Sequence, residues 1–186
     1  MNLQQACGEL YDAFYPQNTR AREILERHSR SVASLAADIN HRLGEPVAPQ
    51  LVEAYAMLHD IGIFLTDAPS IDCHGCRPYM MHGILGADLL RRHGFVEEIA
   101  RVAERHTGTG LYPADIAASS LPFPSGRVLY PETKLERLVC YADKFYSKSR
   151  DMSLKSLERV RKSLARHGAD ALARFEALRE EFGDPQ

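Results

Sequence analysis

"AYAMLHDIGIF", residues 54–64, sets a histidine and an aspartate side by side with apolar residues crowding on both sides. A carboxylate beside an imidazole is costly to bury unless something compensates it, and a metal cation is one of the few compensators strong enough. Taken alone, the pair also admits a plainer reading: Leu58 and Ile61 face a core while His59 and Asp60 face water at a helix end. The rest of the chain has to separate the two.

Outward from the pair, the periodicity is helical almost throughout. Over residues 20–43 the apolar side chains Ile24, Leu25, Val32, Leu35, Ala36, Ile39 and Leu43 recur at helical spacing. Asn18 or Thr19 can cap that segment, and Gly44 with Pro46 stops it. Further helices are expected over about 49–59, 79–93, 96–106, 131–146 and 153–182. Residues 66–78 read as a loop. A longer one, rich in Gly, Pro, Ser and Thr, spans 107–133 with a helical turn at Pro113–Ala118; loops of this length are often functional. The fold class is therefore all-α, one domain over 1–186, with a C-terminal amphipathic segment at about 153–182. That segment (Leu154, Leu157, Val160, Leu164, Leu172, Phe175, Leu178) is expected to close the domain, dimer packing being the alternative.

A chain of 186 residues with 45% hydrophobic and 26% charged residues is of ordinary soluble type. Its net charge of −2 argues against a general nucleic-acid binder, though not against a local basic pocket for a small phosphorylated ligand. No signal-peptide pattern opens the sequence, and no apolar run approaches the roughly 20 residues of a membrane span, so the cytoplasm is expected. There the four cysteines are reduced thiols. "CHGC", residues 73–76, offers half a zinc site or a redox pair, but no second pair of matching spacing exists; it reads as a loop with two incidental thiols.

Four of the histidines have simple explanations. His41, His93 and His167 sit near expected helix C-termini, where an imidazole helps exposed carbonyls. His74 lies in a loop, within reach of a substrate at most. The others behave differently. His28 falls on the apolar face of its helix, with Ile24, Val32 and Leu35 at i−4, i+4 and i+7. By itself it is a hydrogen-bonded core histidine or a ligand. His82 opens "HGILGADLL", where Gly83 and Gly86 permit close packing, and His106 ends an apolar-striped helix. Asp143 is a carboxylate on the strongly apolar "LVCYADKF". Five segments each offer an inward His or Asp, which one shared polyvalent centre explains better than five burial accidents.

In order along the chain, "HDIG" at 59–62, "HGILGADLL" at 82–90, "ERHTG" at 104–108 and "YADKF" at 141–145, preceded by His28, resemble the HD-domain superfamily of metal-dependent phosphohydrolases. The match is to its two-metal branch, near the diadenosine tetraphosphate hydrolases, and covers about residues 20–150. The resemblance implies an all-α fold with the site between helices. His28, His59, Asp60 and Asp143 would bind one metal, and His82 and His106 a second, with Asp60 bridging. Imidazole and carboxylate without thiolate suit iron, manganese, cobalt or zinc. Two such divalent ions about 3.5–4 Å apart can activate a water and clamp a phosphoryl oxygen.

Substrate contacts follow from the same comparison. Lys144 and Arg150 match basic residues of the diadenosine tetraphosphate hydrolases, and Arg105 and Thr107 flank His106, whereas Lys148 is assigned to a solvated face. Many relatives carry Lys or Arg directly after "HDIG", where this chain has Ile63, and a Gly-Tyr-Pro signature that it lacks. Arg77 is the candidate to supply the missing contact. The expected activity is hydrolysis of a nucleotide or similar small phosphorylated compound, with Asp60 and Lys144 as catalytic residues. Neither a nucleic-acid polymer nor a membrane is expected as partner. Some proteins with this ligand order are di-iron oxygenases; that is the alternative, followed by a non-enzymatic nucleotide-sensing module.

Overall fold

The structure, a computed structural model, describes residues 3–120, 123–148 and 152–185. Helix α2 (Arg20–Arg42) carries α3 (Pro49–Leu58) and α7 (Lys134–Asp143) along its buried side. Thr19 caps α2 by accepting from the Arg22 N–H, and Gly44 at φ +78° turns the chain away from its end. Ile24, Leu25, Val32, Leu35, Ala36 and Ile39 are all buried, as their spacing predicts, and His28 is buried among them. Pro49 pre-sets the first turn of α3, which ends immediately before His59 and Asp60. The pair therefore sits on the turn leaving α3, ahead of a short 3-10 turn, Ile63–Leu65.

Helix α4 (His82–Arg92) lies directly on that turn and packs along α5 (Glu97–Arg105). Glycine makes both approaches feasible. A Cβ at Gly62 would lie 2.3 Å from the His82 carbonyl oxygen and 2.4 Å from the Gly86 nitrogen, and one at Gly83 would lie 2.6 Å from the Ala103 carbonyl oxygen. The obstructing atoms are backbone, so no side chain can yield. Gly62→Ala is expected to lower the unfolding free energy by about 3 kcal/mol, the upper range for overpacking. Gly8→Ala, in open space on helix α1 (Leu3–Phe14), should change it little or raise it slightly. Urea denaturation of both variants reads the difference, and equal midpoints would contradict the close contact.

Three features depart from the spacing. Helix α1 was not among the expected elements; it clamps the central turn through Tyr11 Oη, which donates to the Met57 carbonyl (2.5 Å), while Tyr15, just beyond it, donates to the Ile61 carbonyl (2.8 Å). Its apolar set, Ala6, Cys7, Leu10 and Tyr11, is short and interrupted by Gly8. Inside the 66–78 loop lies a two-residue antiparallel hairpin, β1 (Asp67–Ala68) with β2 (Cys73–His74), in which Asp67 faces His74. Cys73 is buried, Cys76 is exposed, and both are free thiols.

The expected helix over 153–182 is broken into α8 (Leu157–Leu164) and α9 (Ala169–Phe182). Between them run a 3-10 turn, Ala165–His167, and Gly168 at φ +106°, a conformation that favours glycine. α9 packs on α7, with Tyr141 stacked between Phe175 (5.6 Å) and Phe182 (5.7 Å). The tail thus adds to the core. Helix α6 (Pro113–Ala118) interrupts the long loop where the proline predicts it. No helix among the described residues is long and apolar enough to cross a membrane.

Candidate metal centre

Five segments converge beneath α4: the middle of α2 (His28), the turn after α3 (His59, Asp60), the start of α4 (His82), the end of α5 (His106) and the end of α7 (Asp143). Asp60 divides its two oxygens. Oδ2 lies 3.1 Å from His28 Nε2 and 3.2 Å from His59 Nε2, while Oδ1 lies 3.3 Å from the Nε2 atoms of both His82 and His106. Asp143 Oδ1 completes the first group, 3.0 Å from His28 Nε2 and 3.5 Å from His59 Nε2. Two donor sets result, His28–His59–Asp60–Asp143 and Asp60–His82–His106, and within each the donor atoms lie within 4.8 Å of one another.

Local backbone aims the rings. Nδ1 of His59, His82 and His106 lies 2.6, 2.6 and 2.7 Å from the carbonyl oxygen three residues earlier, on Ala56, Tyr79 and Ala103. A carbonyl only accepts, so Nδ1 holds the hydrogen in all three rings and each turns its Nε2 to the cluster, where it offers a lone pair whenever the ring is neutral. Partners of this kind fix tautomer and direction in metal-binding histidines. His82 and His106 then bring two Nε2 atoms to 3.0 Å. Burial pushes both rings down, His82 to about 3, which favours the neutral form in each. A cation is the natural occupant.

The remaining electrostatics agree. Asp60 Oδ1, Asp60 Oδ2 and His59 Nε2 are buried without a well-directed hydrogen bond among the described residues. Burial alone would raise the Asp60 carboxyl, yet Lys148 and His59 hold it well below the usual carboxylate range. Burial would likewise lower His59, but Asp60 and Asp143 raise it to about 9. Charges of both signs are thus gathered in a buried site, and the imidazole–carboxylate donor set is one that iron, manganese, cobalt or zinc accepts. The cluster could hold metal ions.

Two lysines stand against it. Lys144 Nζ is 2.7 Å from Asp143 Oδ2 and donates to the His106 carbonyl (3.2 Å). Lys148 Nζ is 2.6 Å from Asp60 Oδ2, with its side chain only 13% exposed. This overturns the solvated-face assignment of Lys148. It follows the end of α7 by five residues, beyond any helical periodicity, so no spacing signal marked it.

A cavity of about 340 Å³ opens beside the cluster, bounded inside by His82, His106, Asp143 and the two lysines. The 107–111 loop forms one wall, including buried Thr107, and α9 forms another. Arg174 ties them together by gripping Asp115 with two hydrogen bonds (2.8 and 3.1 Å) over the Tyr112 ring.

Other expected contacts are not met. Arg105 turns away from the cluster: it is buried between Glu132 (2.7 Å) and Glu136 (2.9 Å), where it braces the start of α7. Arg77 is exposed on the hairpin and is not among the residues lining the cavity. Arg150 lies outside the described residues. His41 pairs with Glu45, His74 with Asp72, and His93 packs edge-on against Phe14, so these stay apart from the cluster, whereas His167 lines the cavity mouth.

The HD domain family profile matches residues 25–147. Among curated proteins the chain is 32% identical over 166 residues to a tRNA (cytidine(56)-2'-O)-methyltransferase of Picrophilus torridus, covering 89% of this chain and 43% of that protein. It is 30% identical over 156 residues to the Thermoplasma volcanium protein of the same name, covering 83% and 41%. An uncharacterized Methanocaldococcus jannaschii protein is 36% identical over 100 residues, 54% of this chain and 51% of its own length. The chain therefore spans about two fifths to one half of the curated relatives it matches. Among solved structures, the HD domain of the Listeria monocytogenes phosphodiesterase PgpH superposes with a TM-score of 0.53 at 18% identity, covering 86% of this chain and 90% of that one. The same domain in complex with cyclic-di-AMP superposes equally well, with 88% of its chain covered.

Proposed function

Since the chain belongs to the HD-domain family, we propose that it is a metal-dependent phosphohydrolase acting on a nucleotide or similar small phosphorylated compound. One observation carries the reading: the two oxygens of Asp60 face separate histidine sets, beside a cavity edged by two lysines. His28, His59, Asp60 and Asp143 would hold one divalent ion, and Asp60, His82 and His106 a second. When bound, such ions supply Lewis acidity to a phosphoryl oxygen and lower the pKa of a water.

The chain's own groups do the rest. The i−3 carbonyls keep the rings in the ligating tautomer, and the α4 contact at Gly62 holds His82 over Asp60. Lys144 and Lys148 add positive charge at the cavity wall for phosphate oxygens, where a dry site makes each worth more than in water. Thr107 presents a hydroxyl to the same cavity. Methyl transfer is named for longer relatives, of which this chain spans about two fifths.

The test is turnover of p-nitrophenyl phosphate and a nucleotide panel by metal-stripped protein reloaded with manganese, cobalt, zinc or iron, in air and without oxygen. Hydrolysis without oxygen is expected, with manganese or cobalt at least as good as iron. Activity that requires both iron and oxygen would replace this reading by a di-iron oxygenase, and no phosphate turnover with any metal would also overturn it.

A further inference from the structure

The cavity at the cluster does not end at its own walls. A second hollow of about 260 Å³ shares Tyr79, Lys144, Lys148 and His167 with it. A third, of about 520 Å³, shares Ser147, Lys155 and Ser163 with the second. The three run as one groove from Asp143 out over α8. The outermost part is lined by Ser147, Lys155, Arg159, Lys162, Ser163 and Arg166, with no carboxylate among them. Arg159, Lys162 and Ser163 are spaced i, i+3 and i+4 on one face of α8, and Arg166 follows on the 3-10 turn after its end.

That face is a local concentration in a chain whose acids outnumber its bases, 25 to 23. Arg161, on another face of α8, pairs with Glu176, whereas Lys162 and Arg166 make no ion pair among the described residues. A mononucleotide seated at the cluster would fill the inner cavity and not reach Lys162 or Arg166. A substrate with further phosphates beyond its first nucleotide would use them. Tyr79 and Tyr146 line the middle hollow, and a basic groove with aromatic rings is the chemistry that binds single strands. A duplex does not fit, because Asp60 is fully buried and the space before it, about 340 Å³, is of small-ligand size.

We infer that the groove binds a single-stranded nucleic acid, its terminal nucleotide in the cavity and its following phosphates along Arg159, Lys162 and Arg166. This rests on the phosphohydrolase reading of the inner cavity and extends its substrate from a small phosphorylated compound to a strand-terminal phosphoester, against the sequence expectation of no nucleic-acid polymer. In that reaction the water oxygen bonds to phosphorus, the phosphorus–oxygen bond to the leaving group breaks, and the water's proton ends on the leaving oxygen.

The test measures binding separately from turnover. A fluorescein-labelled 12-nucleotide single strand is titrated with the full chain, and anisotropy is followed across a salt series. Wild type should bind, with log affinity falling against log salt by about 0.7 per phosphate contacted. Lys162→Glu/Arg166→Glu should bind at least tenfold more weakly, with a slope reduced by about 1.4. Arg92→Glu/Lys134→Glu, the same charge change elsewhere on exposed positions, should bind like wild type. Hydrolysis of p-nitrophenyl phosphate should be unchanged in both variants. Absent binding by wild type, equal binding by both double variants, or a duplex bound as tightly as the strand would overturn the inference. Strand binding that depends on Lys162 and Arg166, without phosphate turnover by any metal form, would support the groove and count against the phosphohydrolase reading instead.

Discussion

Asp60→Ala is expected to empty both metal positions and to lower kcat/KM by more than about a thousandfold. The reason is geometric. Oδ2 faces His28 and His59, Oδ1 faces His82 and His106, and no other side chain in the cluster contributes to both sets. Without Asp60 the second set keeps only two neutral imidazoles, too few to hold a divalent ion firmly. The first keeps His28, His59 and Asp143 but loses one of its two carboxylates. Elemental analysis should find close to two ions per wild-type chain and well under one in Asp60→Ala. His106→Ala should chiefly empty the second position, so the pair of variants separates a shared ligand from a general loss of structure. Full metal content in the Asp60 variant would defeat the bridging assignment.

Lys148→Ala should act in two opposite directions. Its ammonium stands 2.6 Å from Asp60 Oδ2, on the oxygen that a divalent ion of the first set would use, and the two cations compete for it. Removing the lysine should therefore tighten Mn²⁺ binding, read by calorimetry. The same change removes positive charge from the cavity wall. One charge-assisted hydrogen bond to phosphate is worth about 1.5–3 kcal/mol, so kcat/KM should fall roughly tenfold to a hundredfold. Lys144→Ala should show a similar kinetic loss without the gain in metal affinity, because its partner is Asp143 Oδ2, while Asp143 Oδ1 is the oxygen turned to the histidines. Weaker metal binding in Lys148→Ala would show that the lysine supports the cluster rather than competing within it.

The His and Asp cluster was legible because its residues lie where local periodicity and close glycine contacts already decide burial. His28 sits four residues from Ile24 and Val32 on α2, so burying those side chains buries the ring. His59 and Asp60 close an apolar helix, and Gly62, Gly83 and Gly86 announce that backbone must approach there. The basic residues were not legible in the same way. Lys148 and Arg105 have long side chains near helix ends, where several directions are sterically open and local spacing favours none. What turned Arg105 away was Glu132 and Glu136, 27 and 31 residues onward, and what drew Lys148 inward was Asp60.

The C-terminal segment shows the same limit in backbone terms. Its apolar spacing runs through 153–182 as one stripe, but Gly168 at φ +106° splits it, which lets α9 reach Tyr141 while α8 borders the groove. By itself, then, the sequence determined the all-α class, the inward face of each helix and the order of the His and Asp donors. These depend on residues within two turns of one another. Only the tertiary structure decided which Asp60 oxygen faces which histidines, that Lys148 enters the site while Arg105 leaves it, and that a basic groove continues from it. Those depend on pairings between distant segments, where charge and packing select one direction among several that the local chain leaves equally open.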